Sequence, residues 1–371
     1  MFYLNRFTVI TYALLLFLGH VQAQSVPNTP TPDTTPVTKR RGILKYEPSI
    51  PGNIIFGVCY LLLGITFSYH IHRQKDRWAL CLPIGAFASA LGFFIKTSLD
   101  PDSLKLIIYI VQNGLIVISP SAFLAFNFML YGRFIAAVDP NFDTSGNSNP
   151  GSKGSSKMQK SRFSFIPPRI VGRTFIWSDL LSFLVQISAG GMQAGGAKGN
   201  SQLADIGSKL FLIGVTVQGV SYCLFTALLT VAVHRLIAER KQKGRQLAQT
   251  SLLQGKNYMG LDQHTAIVVG GLYFSSIFII IRSIFRIVEF AEGYDGHLSS
   301  NEIYVFVLDA APLVLAIGVF AFFWPTILLS KITTYTREVA FNHPMADSSR
   351  ITPVHSNNND LYTTDGAPLV R

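Results

Sequence analysis

The chain has 371 residues, 49% of them hydrophobic and only 14% charged, with 28 phenylalanines. A soluble domain carries about 25% charged residues, so this shortage argues against a water-soluble fold and for a bilayer. The formal net charge of +11 lies mostly between apolar runs, which speaks against nucleic acid and for topology signals and contacts with anionic headgroups.

The first stretch, Met1–Ala23, has one Arg6, an apolar core from Phe7 to Leu18, and Val21-Gln22-Ala23 before Gln24. That core is too short to span and its small-residue end suits signal peptidase, so residues 1–23 are predicted to be a signal peptide. Residues 24–49 form an outer segment, Pro/Thr/Ser-rich to Thr38 and then basic at Lys39, Arg40, Arg41 and Lys45. With no apolar period it has no means of forming a core.

Seven apolar runs follow, near Asn53–Tyr69, Trp78–Ile95, Leu106–Leu130, Thr174–Met192, Ile206–Val233, Thr265–Phe290 and Ile303–Leu329. The segments between them are lopsided in charge. Basic residues collect after the first run (Arg73, Lys75, Arg77), before the fourth (Lys153 to Arg173), after the fifth (Arg235 to Lys256) and after the seventh (Lys331, Arg337). The opposite segments offer only Lys96, Lys105, Lys198 and Lys209 at run edges. The positive-inside rule then sets the N-terminus outside and the C-terminus in the cytosol. The expected fold is an all-α integral membrane protein: a bundle of seven transmembrane helices over residues 50–331. Asp139–Ser161, rich in Gly, Ser and Asn, reads as a flexible cytosolic loop, and residues 332–371 as a disordered cytosolic tail. Cys59, Cys81 and Cys223 all fall in apolar runs, which is neither a disulfide framework nor a zinc spacing.

Polar groups inside the runs carry the functional signal, because each costs free energy unless it is paired. Arg282, Arg286 and Glu289 fall within a wedge of about 60° on one face of the sixth helix. Counted from the loop Phe290–Asn301, Arg282 and Asp309 lie at matching depth, about 10 Å below the surface, on consecutive antiparallel helices. They are therefore positioned to pair. Glu302 caps the start of the seventh helix and is expected to stay hydrated. Asp179 and Gln186 are seven residues apart on one face of the fourth helix, and Gln218 lies in the fifth. Gln112, Asn113 and Asn127 lie in the third, where gluing helices together explains them equally well. Pro120, Pro312 and Pro325 would kink their helices and free carbonyls.

Signatures of catalysis fail. Gly191–Lys198 misses a P-loop because Ala197 breaks the Gly-Lys pair and no strand precedes it. The histidines do not converge at one depth as a zinc site requires, and no Gly-x-Ser-x-Gly elbow occurs. No enzyme, metal or cofactor is expected.

These residues resemble the fungal lipid-translocating exporters, also called the resistance-to-aminocholesterol family, from Tyr46 to about Pro344. The resemblance is carried most by Arg282-Ser283-x-Phe285-Arg286-x-x-Glu289, then Gly293, Gly296, Glu302, Tyr304 and Asp309. Asp179-Leu180-Leu181-Ser182-Phe183-x-x-Gln186 with Gly190-Gly191 resembles the fourth-span motif. Gly207, Gly214 and Gln218 are similar to the fifth, Gly132-Arg133 to the end of the third, and His343-Pro344 to a late His-Pro. The second span departs: where the family reads Glu-x-x-Gly-Tyr-x-x-Arg, this chain has Ser89 to Lys96, without the acid and the tyrosine. The resemblance implies a seven-helix protein of the fungal plasma membrane or an internal membrane, handling sphingoid long-chain bases or other toxic amphiphiles. Its partners would be membrane lipids or amphiphilic small molecules. Arg282, Arg286, Glu289, Glu302, Asp309, Asp179, Gln186 and Gln218 are the expected substrate-binding set. Seven spans, an outer N-terminus and basic cytosolic loops are also the outline of a signalling receptor or lipid-stress sensor.

Overall fold

The computed structural model describes residues 49–98, 106–139, 168–196, 201–250, 263–292 and 302–342. The expected signal peptide, nearly all of the outer segment and most of the Gly/Ser/Asn-rich loop lie outside these residues, as do Gly293, Gly296 and His343-Pro344.

Within them the chain is helical throughout: α1 Ile50–Gln74, α2 Cys81–Thr97, α3 Leu106–Val138, α4 Pro168–Gly196, α5 Ser201–Thr250, α6 Gln263–Ala291, α7 Glu302–Phe322 and α8 Pro325–Asn342. The first seven are each long and apolar enough to cross a membrane. In hydrocarbon no water is available to backbone groups, so apolar runs of this length close their hydrogen bonds internally as helices. α1 ends where Lys75 takes a left-handed φ of 58°, and a 3-10 turn, Arg77–Leu80, leads into α2.

Each helix from α1 to α6 packs on the next in sequence, α7 returns to α1, closing the ring, and α8 packs on α3 and α6. Ile54, Val58, Leu62, Ile65 and Tyr69 form an exposed stripe along α1, while Phe56, Tyr60, Phe67 and Ile71 on the other face are buried. Comparable stripes run down α4 (Trp177, Leu181, Leu184) and α6 (Ile277, Ile281, Ile284, Val288). Apolar surface on this scale is untenable in water and is what a lipid-facing ring requires. The interior is aromatic: Phe56 stacks on Phe306 with ring centres 5.3 Å apart, and Phe128 meets Phe225 edge-on at 4.7 Å.

The α4–α5 seam is closed by glycine. A Cβ on Gly214 would stand 2.8 Å from Gln186 Cγ, and one on Gly207 2.8 Å from the Ala189 carbonyl oxygen. Small residues at these levels let two backbones approach, the usual device where lipid gives no hydrophobic drive between helices.

Three expected boundaries move. α5 continues to Thr250, well past the apolar run that ends at Val233, because a helix leaving the bilayer need not stop where hydropathy falls. The seventh run is broken at Phe323 and Trp324, with Pro325 starting α8 rather than kinking one long helix. α8 then carries the helix to Asn342, into the segment read as disordered tail.

Candidate functional site

The sixth and seventh helices meet at an ion cluster. Arg282, Arg286 and Glu289 share the buried face of α6 at helical spacing, and Asp309 reaches them from α7. Asp309 sits in a π-helical turn, Val305–Ala310, ahead of Pro312. Proline has no N–H for the carbonyl four residues back, and widening the turn re-pairs the backbone: the Ala311 N–H reaches the Phe306 carbonyl. The Tyr60 hydroxyl on α1 donates to the Ala310 carbonyl at 3.0 Å, tying α1 to this turn. The wide turn thereby faces Asp309 toward both arginines.

Asp309 is bound first by Arg286, whose Nε and Nη2 donate to Oδ1 at 2.7 Å and Oδ2 at 2.6 Å. This parallel fork is the strong form of an arginine–carboxylate pair. Arg286 Nη1 also donates to Glu289 Oε2 at 3.1 Å. Arg282 Nε lies 2.9 Å from Asp309 Oδ1, yet its N–H makes no aligned hydrogen bond. The pairing expected from matched depth is there, but as a charge contact on an oxygen that Arg286 already holds. Two cations and two anions make the cluster formally neutral, and Asp309 is only 3% exposed.

Glu302 corrects the expectation of a hydrated cap. It is 7% exposed, and its Oε1 accepts from Asn53 Nδ2 at 2.9 Å and pairs with Lys96 Nζ at 2.8 Å. Its Oε2 accepts from the Ser49 backbone N–H. The start of α1 and the end of α2 converge on it, so Glu302 ties the two ends of the ring together instead of facing water. Lys96 stands where the second-span motif of the resembled family closes on an arginine. At the position of the missing tyrosine, Phe93 stacks on Tyr60 with ring centres 5.7 Å apart.

A second polar group crosses the bundle between α3, α4, α5 and α6. Gln186 Nε2 donates to Gln218 Oε1 at 3.0 Å, and Gln218 Nε2 to Ser121 Oγ at 3.2 Å. Asn127 Nδ2 donates to the Tyr222 hydroxyl and to Ser275 Oγ, each at 2.9 Å, and Tyr222 also bonds Ser276 Oγ at 3.1 Å. Asp179 is buried beside this network without joining it.

The structure thus sorts the expected set into three places. Arg282, Arg286, Glu289 and Asp309 come together; Glu302 stands apart with Lys96; Asp179, Gln186 and Gln218 line the α4–α5 seam. Sequence reasoning missed Tyr60, Tyr222, Ser275 and Ser276, single hydroxyls that an apolar helix tolerates without any periodic signal. Lys96 was visible as the end of the altered motif. Among the described residues no group of three or more His, Cys, Asp or Glu is placed to hold a metal ion.

Comparison with known proteins finds relatives by sequence. Residues 155–332 match the family described as RTA1-like protein. Protein RTA1 of Saccharomyces cerevisiae is 22% identical over 316 residues, covering 78% of this chain and 87% of its own. The probable lipid transporter atnI of Emericella nidulans is 22% identical over 310 residues, covering 80% of this chain and 73% of its own. The sphingoid long-chain base transporter RSB1 of Saccharomyces cerevisiae is 26% identical over 187 residues, 44% of this chain and 47% of its own. No solved structure matches the chain.

Proposed function

Because the chain is a member of the fungal RTA1-like family, we propose that it translocates amphiphilic amines of the sphingoid-base kind across the membrane in which it sits. The observation that carries this reading is the shared carboxylate of Asp309. Arg286 holds it through two directed bonds, whereas Arg282 contacts an oxygen already taken, with no aligned bond of its own. An incoming ammonium headgroup takes the place of the weaker partner at Asp309, so that the carboxylate keeps a second cation beside Arg286. The aromatic interior of α1, α2 and α7 covers an alkyl chain. Relatives named as lipid transporters support the substrate class.

The test uses the purified protein in lipid vesicles. Labelled sphingoid base should cross faster than in protein-free vesicles, and an uncharged N-acylated analogue should not. Equal rates with and without protein would end the translocator reading and favour the receptor.

The same proposal carries an orientation: Phe290–Asn301 outside, Arg235–Lys256 in the cytosol, and the mature chain beginning near Gln24 after signal cleavage. Loop charge supports it, and Lys96, a basic residue on the outer side, is neutralised by Glu302. On a background without Cys59, Cys81 and Cys223, an impermeant thiol reagent on intact cells should label cysteines placed in 293–301. Labelling of the Arg235–Lys256 loop from outside instead would invert the topology.

A further inference from the structure

Glu289, Glu302 and Asp309 each have a cation against them. Asp179 has none. It is 2% exposed, and neither carboxylate oxygen is reached by solvent or has a hydrogen-bond partner. The seam places a second such group beside it. Phe175 of α4 meets Phe225 of α5 with ring centres 6.0 Å apart. On the other side, a Cβ on Gly214 would lie 3.3 Å from the Ser182 carbonyl oxygen. Between these levels the antiparallel helices bring Asp179 opposite the turn Gln218–Tyr222, and Ser221 Oγ in that turn is also buried without a partner.

Among the described residues the surroundings hold no compensating cation at this level. On α5, Tyr222 is near enough to act on Asp179 electrostatically, but its hydroxyl is engaged with Asn127 and Ser276. Cys223 points to the exposed side. On α3, Arg133 is held over the Trp78 ring, 4.6 Å from its centre. On α4 itself, Arg173 is exposed and lies about 9 Å along the helix.

A carboxyl group in this position needs either a bound cation or a proton, since an isolated buried carboxylate costs far more than any packing returns. Both oxygens are covered, which leaves room for a proton and not for an ammonium group. We propose that Asp179 is the proton-binding site that couples lipid movement to a proton gradient. This deepens the translocator reading and rests on it. The closed α4–α5 seam is then the proton-loaded form. When Asp179 gives its proton to water, the carboxylate left behind must be hydrated, and water enters only if the helices part between the Phe175–Phe225 contact and Gly214. Proton release and seam opening are one event, and reloading from the acidic side closes the seam again.

Two readouts on the full-length protein separate this proposal from the reading beneath it. In the infrared, the wild type should show the carbonyl band of a buried protonated carboxyl, and Asp179→Asn should lack it. In vesicles, an imposed pH gradient should speed labelled sphingoid base several-fold for the wild type, while Asp179→Asn, a mimic of the loaded form, should ignore the gradient. Asp179→Glu should keep the gradient response with a shifted band, which covers the case in which the Asn variant does not accumulate. Absence of a band attributable to Asp179 overturns the proposal whether or not lipid moves. A gradient-insensitive wild type, or a gradient-sensitive Asp179→Asn, overturns it and leaves translocation standing. No lipid movement by either protein, with the band present, sinks the translocator reading and the coupling with it.

Discussion

Asp309→Asn should be among the most damaging single changes in this protein, removing most of the folded material from the membrane. The substitution keeps shape and volume and deletes one charge, leaving Arg282 and Arg286 buried with Glu289 alone to balance them. Breaking a buried ion pair by removing one partner costs about 3–5 kcal/mol, and Asp309 is 3% exposed, so little of that is screened by solvent. An ordinary domain has only about 5–15 kcal/mol in total, so the loss should be plain in abundance and in the unfolding midpoint of detergent-purified protein. Arg282→Met added to Asp309→Asn restores neutrality, with Arg286 still on Glu289 at 3.1 Å. The double variant should recover a good part of the loss. A double variant no more stable than the sum of its singles would mean that charge balance does not hold the cluster together.

That cluster also marks how far the sequence could be read. The depth of Arg282 and Asp309 follows from counting residues away from one loop, since α6 ends and α7 starts there and both rise by the same amount per residue. The same count could not foresee the fork from Arg286. It depends on the π-turn at Val305–Ala310, which adds a residue to one turn and rotates Asp309 relative to a regular helix. Asp179 and Gln186 were legible as one face, and they do share the α4–α5 seam. That Gln186 finds Gln218 while Asp179 finds nothing is a matter of register between two helices, set by Gly207 and Gly214, and spacing along one helix does not reveal it. The apolar runs located all seven spans because hydrocarbon demands them. The ends escaped, because α5 and α8 extend into polar segments where amphipathic helix and loop look alike in composition.

Glu302 shows the same limit most sharply, and it yields the second large effect. Local sequence makes it an acid at a helix start beside a loop, where hydration is the natural state. Its donors come from the far end of the chain, Asn53 and Ser49 being 249 and 253 residues away. Three donors converge on two oxygens: Asn53 and Lys96 on Oε1, the Ser49 N–H on Oε2. Glu302→Gln cannot serve them. Whichever way the amide is turned, its NH2 group faces a donor: the Ser49 N–H on one side, or Asn53 and Lys96 on the other, and the ion pair with Lys96 is lost either way. Hydrogen bonds to charged groups contribute about 1.5–3 kcal/mol each, so the substitution should cost roughly 3 kcal/mol and loosen the start of α1. Lys96→Met should cost less, because Glu302 keeps its bonds to Ser49 and Asn53. The measurement is the unfolding midpoint of both variants, with hydrogen exchange over residues 49–57 reporting on α1. Glu302→Gln should lower the midpoint more than Lys96→Met and speed exchange in that segment. If Glu302→Gln unfolds like the wild type and exchange there is unchanged, the carboxylate is a hydrated cap after all, and α1 and α7 are held together by the Phe56–Phe306 stack and its neighbours alone.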